Sequence, residues 1–193
     1  MKILIACEYS GRVREAFKTK GHDVWSCDIL PTEIPGQHIQ GNVLDILNHG
    51  WDLMIAHPPC THLCSSGARW FKYKQKEQKD ALDFVKTLMD APIKQICIEN
   101  PIGIISTQIC KPTQIIQPWE FGDEYQKTTC LWLKNLKPLV PTKIVGKGDF
   151  VIHGGKKCLN GILIEKLIEI KLLMVLQLQW QNNGGKIWNI LKI

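Results

Sequence analysis

Apolar positions come in short runs separated by amphipathic stretches through the first hundred residues, which is the pattern of a parallel α/β sheet. Residues 2–6 predict a first strand. Residues 12–20 predict a helix, with Val13, Ala16 and Phe17 on one face and Gly21 as its stop. Further strands are predicted over 24–29, 39–43 and 52–56, the last running into His57-Pro58-Pro59. Residues 77–89 carry Ala81, Leu82, Val85, Leu88 and Met89 at helical spacing, and 95–98 predict a fifth strand ending at Glu99-Asn100-Pro101. Beyond residue 105 the chain turns Pro- and Gln-rich, before Thr129-Cys130-Leu131-Trp132-Leu133 predicts one more strand, an antiparallel addition. The expected fold is α/β and Rossmann-like, a mostly parallel sheet with helices on both faces. Ligands in such sheets collect at the carboxyl ends of the strands.

The chain has 193 residues, enough for one domain with a real core. Its 45% hydrophobic and 22% charged fractions are those of a soluble globular protein. No stretch reaches the ~18 consecutive apolar residues of a membrane span. The opening apolar run is too soon interrupted by Glu8 to be a signal peptide. An intracellular, cytoplasmic protein is expected. The eight cysteines are irregularly spaced, with Cys7, Cys27 and Cys97 inside apolar runs, which suits buried free thiols better than disulfides. Net charge is +6, but residues 151–193 hold six Lys and two Glu, so +4 of it lies there. Basicity alone therefore says little about a polyanionic partner.

Three strand ends carry candidate chemistry. Strand one runs into Tyr9-Ser10-Gly11, where a glycine at a strand-to-helix turn permits close approach to a ligand. The three-glycine dinucleotide fingerprint is absent, which disfavours nicotinamide or flavin. Strand two ends at Asp28, placed to accept ribose hydroxyls. Strand four ends at Pro58-Pro59-Cys60, where two prolines stiffen the chain and aim the thiol of Cys60, a candidate nucleophile. Ser65-Ser66-Gly67 then reads as a flexible stretch able to close over a substrate. Two blander readings stand beside this: Cys60 as a small hydrophobe, or His57, Cys60, His62 and Cys64 as zinc ligands, at spacings cramped for a structural site. Glu99 closes strand five, partly desolvated and able to stay protonated near neutral pH, facing the same crevice as Cys60. The alternative for Glu99-Asn100-Pro101 is a cap or turn.

In order and spacing these motifs resemble those of the C5-cytosine DNA methyltransferases over roughly the first 145 residues. Tyr9-Ser10-Gly11 looks like that family's Phe-Ser-Gly turn, Asp28 like its ribose-binding acid, and Pro58-Pro59-Cys60 like its nucleophile loop. Glu99-Asn100-Pro101 resembles its Glu-Asn-Val, and Gln126-Lys127-Thr128-Thr129 stands where it has a Gln/Arg-rich strand. The nearest likeness is to small phage-associated cytosine methyltransferases. The resemblance implies S-adenosylmethionine as cofactor, held by Tyr9, Ser10, Gly11, Asp28, Asn42 and Pro58, and DNA as partner. It implies that Cys60 attacks C6 of a flipped-out or single-stranded cytosine while Glu99 serves N3. No metal is implied, no membrane, and a monomer is expected. Departures are Asn42 where the family has Asp, the loss of Arg near Gln126, and no room for a long target-recognition segment. Specificity is then minimal or comes from a separate partner. An inactive nucleic-acid-binding relative, or an enzyme acting on RNA or nucleotides, are the alternatives.

Residues 1–150 are read as the catalytic domain and 151–193 as an atypical tail. Related small methyltransferases end in a helix resembling Thr-Phe-x-Gly-Ile-Ala-x-Ala-Met-Ala-x-Gln-Trp. Plausible codons for Lys171 to Gly184, read from the third base of the Lys171 codon, give Thr-Phe-Asp-Gly-Ile-Ala-Ile-Ala-Met-Ala-Lys-Gln-Trp. This points to a frameshift near residues 155–157; an authentic amphipathic helix is the competing account. Sequencing the coding DNA is expected to show that helix in the shifted frame, and closely related genes ending uninterrupted in this same tail would refute it.

Overall fold

The computed structural model of the chain describes residues 1–150; the tail, with its frameshift reading, lies outside them. Five parallel strands form the body of the sheet: β1 (Lys2–Ala6), β2 (Asp23–Asp28), β3 (His38–Gln40), β4 (Leu53–Ala56) and β5 (Gln95–Pro101). β6 (Gln114–Ile116) and β8 (Thr129–Lys134) complete it in the order β3-β2-β1-β4-β5-β8-β6, with β8 antiparallel to both neighbours. A two-residue strand, β7 (Tyr125–Gln126), pairs with β9 (Asp149–Phe150) apart from this sheet. The expected Rossmann-like α/β architecture is the one observed.

Strand alternation sends side chains to two faces, and each face has its helix. Ile3, Ile5, Leu53 and Ile55 pack with Val13 and Phe17 of α1 (Arg12–Lys18). Leu4, Ala6, Met54, Ala56, Ile96 and Ile98 pack with Val85 and Leu88 of α2 (Gln75–Met89). Burying each of the Val, Leu, Ile, Met and Phe side chains contributes roughly 1.5–3 kcal/mol. Among the described residues no helix is long and apolar enough to cross a membrane.

The sequence misjudged several boundaries for local reasons. The third strand stops at Gln40, because the Asn42 side chain accepts the Leu44 amide (3.1 Å) and turns residues 43–46 into a 3₁₀ helix. Residues 65–67 belong to a 3₁₀ stretch over Ser65–Tyr73. β6 was not anticipated, since three residues cannot display an alternation.

One buried charge holds the β1–β2 side together. Arg14 is fully buried; Nε donates to Glu15 Oε1 (2.9 Å), Nη1 to Ser26 Oγ (2.8 Å) and Thr32 Oγ1 (3.2 Å), and Nη2 to the Ile34 carbonyl. It ties α1 to β2 and to the segment after it. Gly11 sits at φ +75°, and a Cβ there would lie 2.7 Å from Arg14 Nη2, so both backbone and guanidinium require glycine. Replacing Arg14 by Met strands the oxygens it serves. Arg14→Met is expected to lower unfolding free energy by about 3 kcal/mol and Tm by roughly 6–12 °C; chemical denaturation showing a loss below about 1 kcal/mol would contradict this role.

Candidate functional site

The strand order reverses direction between β1 and β4, and a cavity of about 700 Å³ opens at the carboxyl ends on that line. Cys7 and Tyr9 reach it from β1, Asp28 from β2, Asn42 from the turn after β3, and His57 and Pro59 from β4. Its far wall is α2, through Glu77, Asp80, Ala81 and Phe84. Such a volume suits a small-molecule ligand of nucleoside size. Asp28 Oδ1 accepts the Leu30 amide (3.0 Å), and its second oxygen can accept a ligand hydroxyl. Tyr9, Val43 and Phe84 supply apolar surface for a flat ring. The Asn42 oxygen already accepts the Leu44 amide, leaving one lone pair for a ligand.

Beside the cavity, the loop after β4 is hydrogen-bonded to the end of β5 and to the segment that follows it. His57 Nδ1 and Glu99 Oε2 are 2.9 Å apart. Asn100, 1% exposed, donates from Nδ2 to the Pro58 carbonyl (2.7 Å). The Ile104 amide donates to the Leu63 carbonyl (2.8 Å), and the Ser65 amide to the Ile102 carbonyl (3.1 Å). Within the loop, the amides of Leu63 and Cys64 both donate to the Cys60 carbonyl at 3.0 Å, closing a turn. The contact leaves no space at Gly103, where a Cβ would stand 1.9 Å from the Leu63 oxygen. Proline rigidity and an interstrand seam together fix where Cys60 sits.

Burial raises the Cys60 thiol above its ordinary pKa, aided by the adjacent Cys64 and by the Glu99 carboxylate. Glu99 also raises Cys130 on β8, though burial does more there. In the cavity, burial and then Asp28 push Cys7 up to about 12. At neutral pH these thiols hold their protons, and a Cys60 nucleophile must be deprotonated on demand.

Of the residues singled out from the sequence, Tyr9, Asp28 and Asn42 line one cavity. Cys60 and Glu99 do not line it and lie beside it, on the loop after β4 and the end of β5 that hydrogen bonds tie together. Ser10, Gly11 and Pro58 do not line it. Ser10 Oγ donates to the buried Glu8 (3.0 Å) and Gly11 packs on Arg14, while buried Pro58 offers its carbonyl to Asn100. His57, weighed only as a zinc ligand, is instead a partner of Glu99. Among the described residues no group of three or more potential ligands could hold a metal ion. Asn100, read as a cap, braces the loop. Glu77, Asp80 and Phe84 were missed, although the spacing i, i+3, i+7 places them along one face of α2. Gln126-Lys127-Thr128 leads into β8 opposite Pro101, at the same end of the sheet as the loop.

No protein-family model and no curated protein matches the chain. A solved structure of a candidate DNA modification methyltransferase encoded within an E. coli prophage is similar at 15% identity, covering 76% of this chain and 52% of that one, with a TM-score of 0.49. The chain thus spans about half the length of that protein. The chemistry below rests on the geometry and on the sequence motifs.

Because thiolate is the reacting form, the sign of the Cys60 shift can be read directly. Its alkylation by iodoacetamide, followed by peptide mass mapping, is expected to rise about tenfold per pH unit from about pH 7 to pH 9 without levelling. Glu99→Gln removes a negative charge and is expected to speed alkylation at about pH 8. A wild-type rate already flat by about pH 8 would mean a stabilised thiolate and contradict the burial argument.

Proposed function

We propose that the chain transfers a methyl group from S-adenosylmethionine to C5 of cytosine in DNA through a covalent Cys60 adduct. The observation that carries this reading is the pinning of Cys60 and Glu99 on tied strand ends beside the cavity that holds Asp28.

The residues present suit the donor. Asp28 offers a free carboxylate oxygen to ribose hydroxyls, and Tyr9, Val43 and Phe84 can flank the adenine. When bound, a sulfonium donor supplies an electrophilic methyl group. Glu77 and Asp80 add negative charge to the cavity wall, which favours a cationic ligand.

The chain's own residues then act on the pyrimidine. Cys60 Sγ bonds to C6 as the C5=C6 pair shifts to C4=C5, and the C4=N3 pair takes a proton from Glu99 at N3. Carbon 5 becomes nucleophilic. A protonated Glu99 serves twice, because it supplies that proton and no longer opposes ionisation of Cys60. After methylation, removal of the C5 proton and return of the pair expels Cys60 as thiolate. A cytosine stacked in a duplex cannot reach this seam, so the base is flipped out or single-stranded. Sequence preference is proposed to be weak or to belong to a separate partner. The proposed setting is the cytoplasm.

Incubation of the full chain with methyl-labelled S-adenosylmethionine and DNA is expected to give labelled 5-methylcytosine. Cys60→Ala is expected to abolish it, by at least about 10³-fold. DNA carrying 5-fluorocytosine is expected to trap a covalent complex, since fluorine cannot leave as a proton. Transfer independent of Cys60 would overturn the adduct, and transfer to RNA or free nucleotide alone would move the substrate away from DNA.

A further inference from the structure

Resting on that reading, we propose that His57 is the positioning residue of Glu99, fixing one carboxyl oxygen so that the other is presented to N3 of the bound cytosine. β4 and β5 run parallel with Ala56 opposite Ile98, so His57 and Glu99 are the next pair along the ladder. Paired positions on parallel strands project to the same face, and the two side chains meet at 2.9 Å between Nδ1 and Oε2. They are 19% and 15% exposed, so water competes little with the contact. The His57 backbone is itself anchored, its amide donating to the Ala6 carbonyl (3.0 Å). A carboxyl group free to rotate would lose the alignment that proton transfer needs.

Among the described residues, Cys60 on the loop and Cys130 on β8 also sense Glu99, whose charge raises both. A thiol S–H is too weak a donor to stabilise strongly the carboxylate that Glu99 becomes once its proton is on N3. An Nδ1–H of His57 can, by donating to Oε2 while Oε1 gives and recovers the proton. His57 also lines the cavity, so one ring touches both the acid and the donor compartment. This gives the histidine before the prolines a task that zinc binding would not require.

Adduct formation can be followed with no methyl donor, which separates the effect on Glu99 from any effect on the cavity. The C5 carbon of the adduct takes a proton from water, and elimination then releases the original C5 hydrogen. Tritium release from a single-stranded oligodeoxynucleotide containing [5-³H]cytosine therefore reports the step. His57→Ala is expected to slow Cys60-dependent release about 10- to 100-fold. His57→Asn puts an amide nitrogen where Nδ1 stood and is expected to recover most of the rate, with a pH profile altered by loss of the imidazole. In a Glu99→Gln background, His57→Ala is expected to cost little more, because the two act through one group. Release within about threefold of wild type in His57→Ala, or additive effects of the two substitutions, would overturn the proposal. So would an Asn variant that melts like wild type yet performs no better than Ala. If the wild type shows no Cys60-dependent release, the cytosine reading itself falls and takes this one with it. If it shows release unaffected by His57, only the positioning role falls.

Discussion

The seam between the loop after β4 and the end of β5 is the constraint on which the site depends. Parallel pairing alone fixes Ala56 beside Ile98 but says nothing of where the chain goes beyond the ladder. Polar contacts through His57, Pro58, Leu63 and Ser65 extend that pairing into irregular backbone. Each backbone group in the seam would otherwise need water in a crevice that a substrate must enter. The seam thus satisfies the loop and places the thiol in the same act. Gly103 permits it, since any side chain there would drive Leu63 away.

The other half of the crevice is held by different means. Arg14 reaches from α1 under the turn at Gly11 to Ser26, Thr32 and Ile34, so β2 and the segment bordering Asp28 are fixed by a buried cation. Such a group is costly to bury and is tolerated when its donors are satisfied, as these are. The cavity therefore has one wall set by charge, one by a hydrogen-bonded loop and one by the packed helix α2, with Phe84 against it. Rigid walls on three sides suit a site whose reacting groups must be aligned before substrate arrives.

The thiol chemistry follows from the same burial. Burial above all, with Cys64 and the Glu99 charge adding to it, raises the Cys60 thiol, so that it keeps its proton at neutral pH. In the proposed reaction the thiol and Glu99 act as a pair, and His57 lies between Glu99 and the cavity.

The sheet was legible in the sequence because strands buried on both faces appear as apolar runs, and β1, β2, β4, β5 and β8 all fell where such runs occur. The places of Cys60, Glu99 and Asp28 at the carboxyl ends of strands were legible too, since they close those apolar runs. Short elements were not: β6 and the 3₁₀ turn at Asn42 are set by side-chain bonds and by pairing with distant chain. Nor were the tasks of His57, Asn100 and Glu8, whose partners are fixed by how neighbouring segments meet. Composition and periodicity determined the sheet and the residues that could react. Only the tertiary structure decided which of them meet, because a hydrogen bond across 42 residues of sequence, as between His57 and Glu99, leaves no periodic trace in the chain.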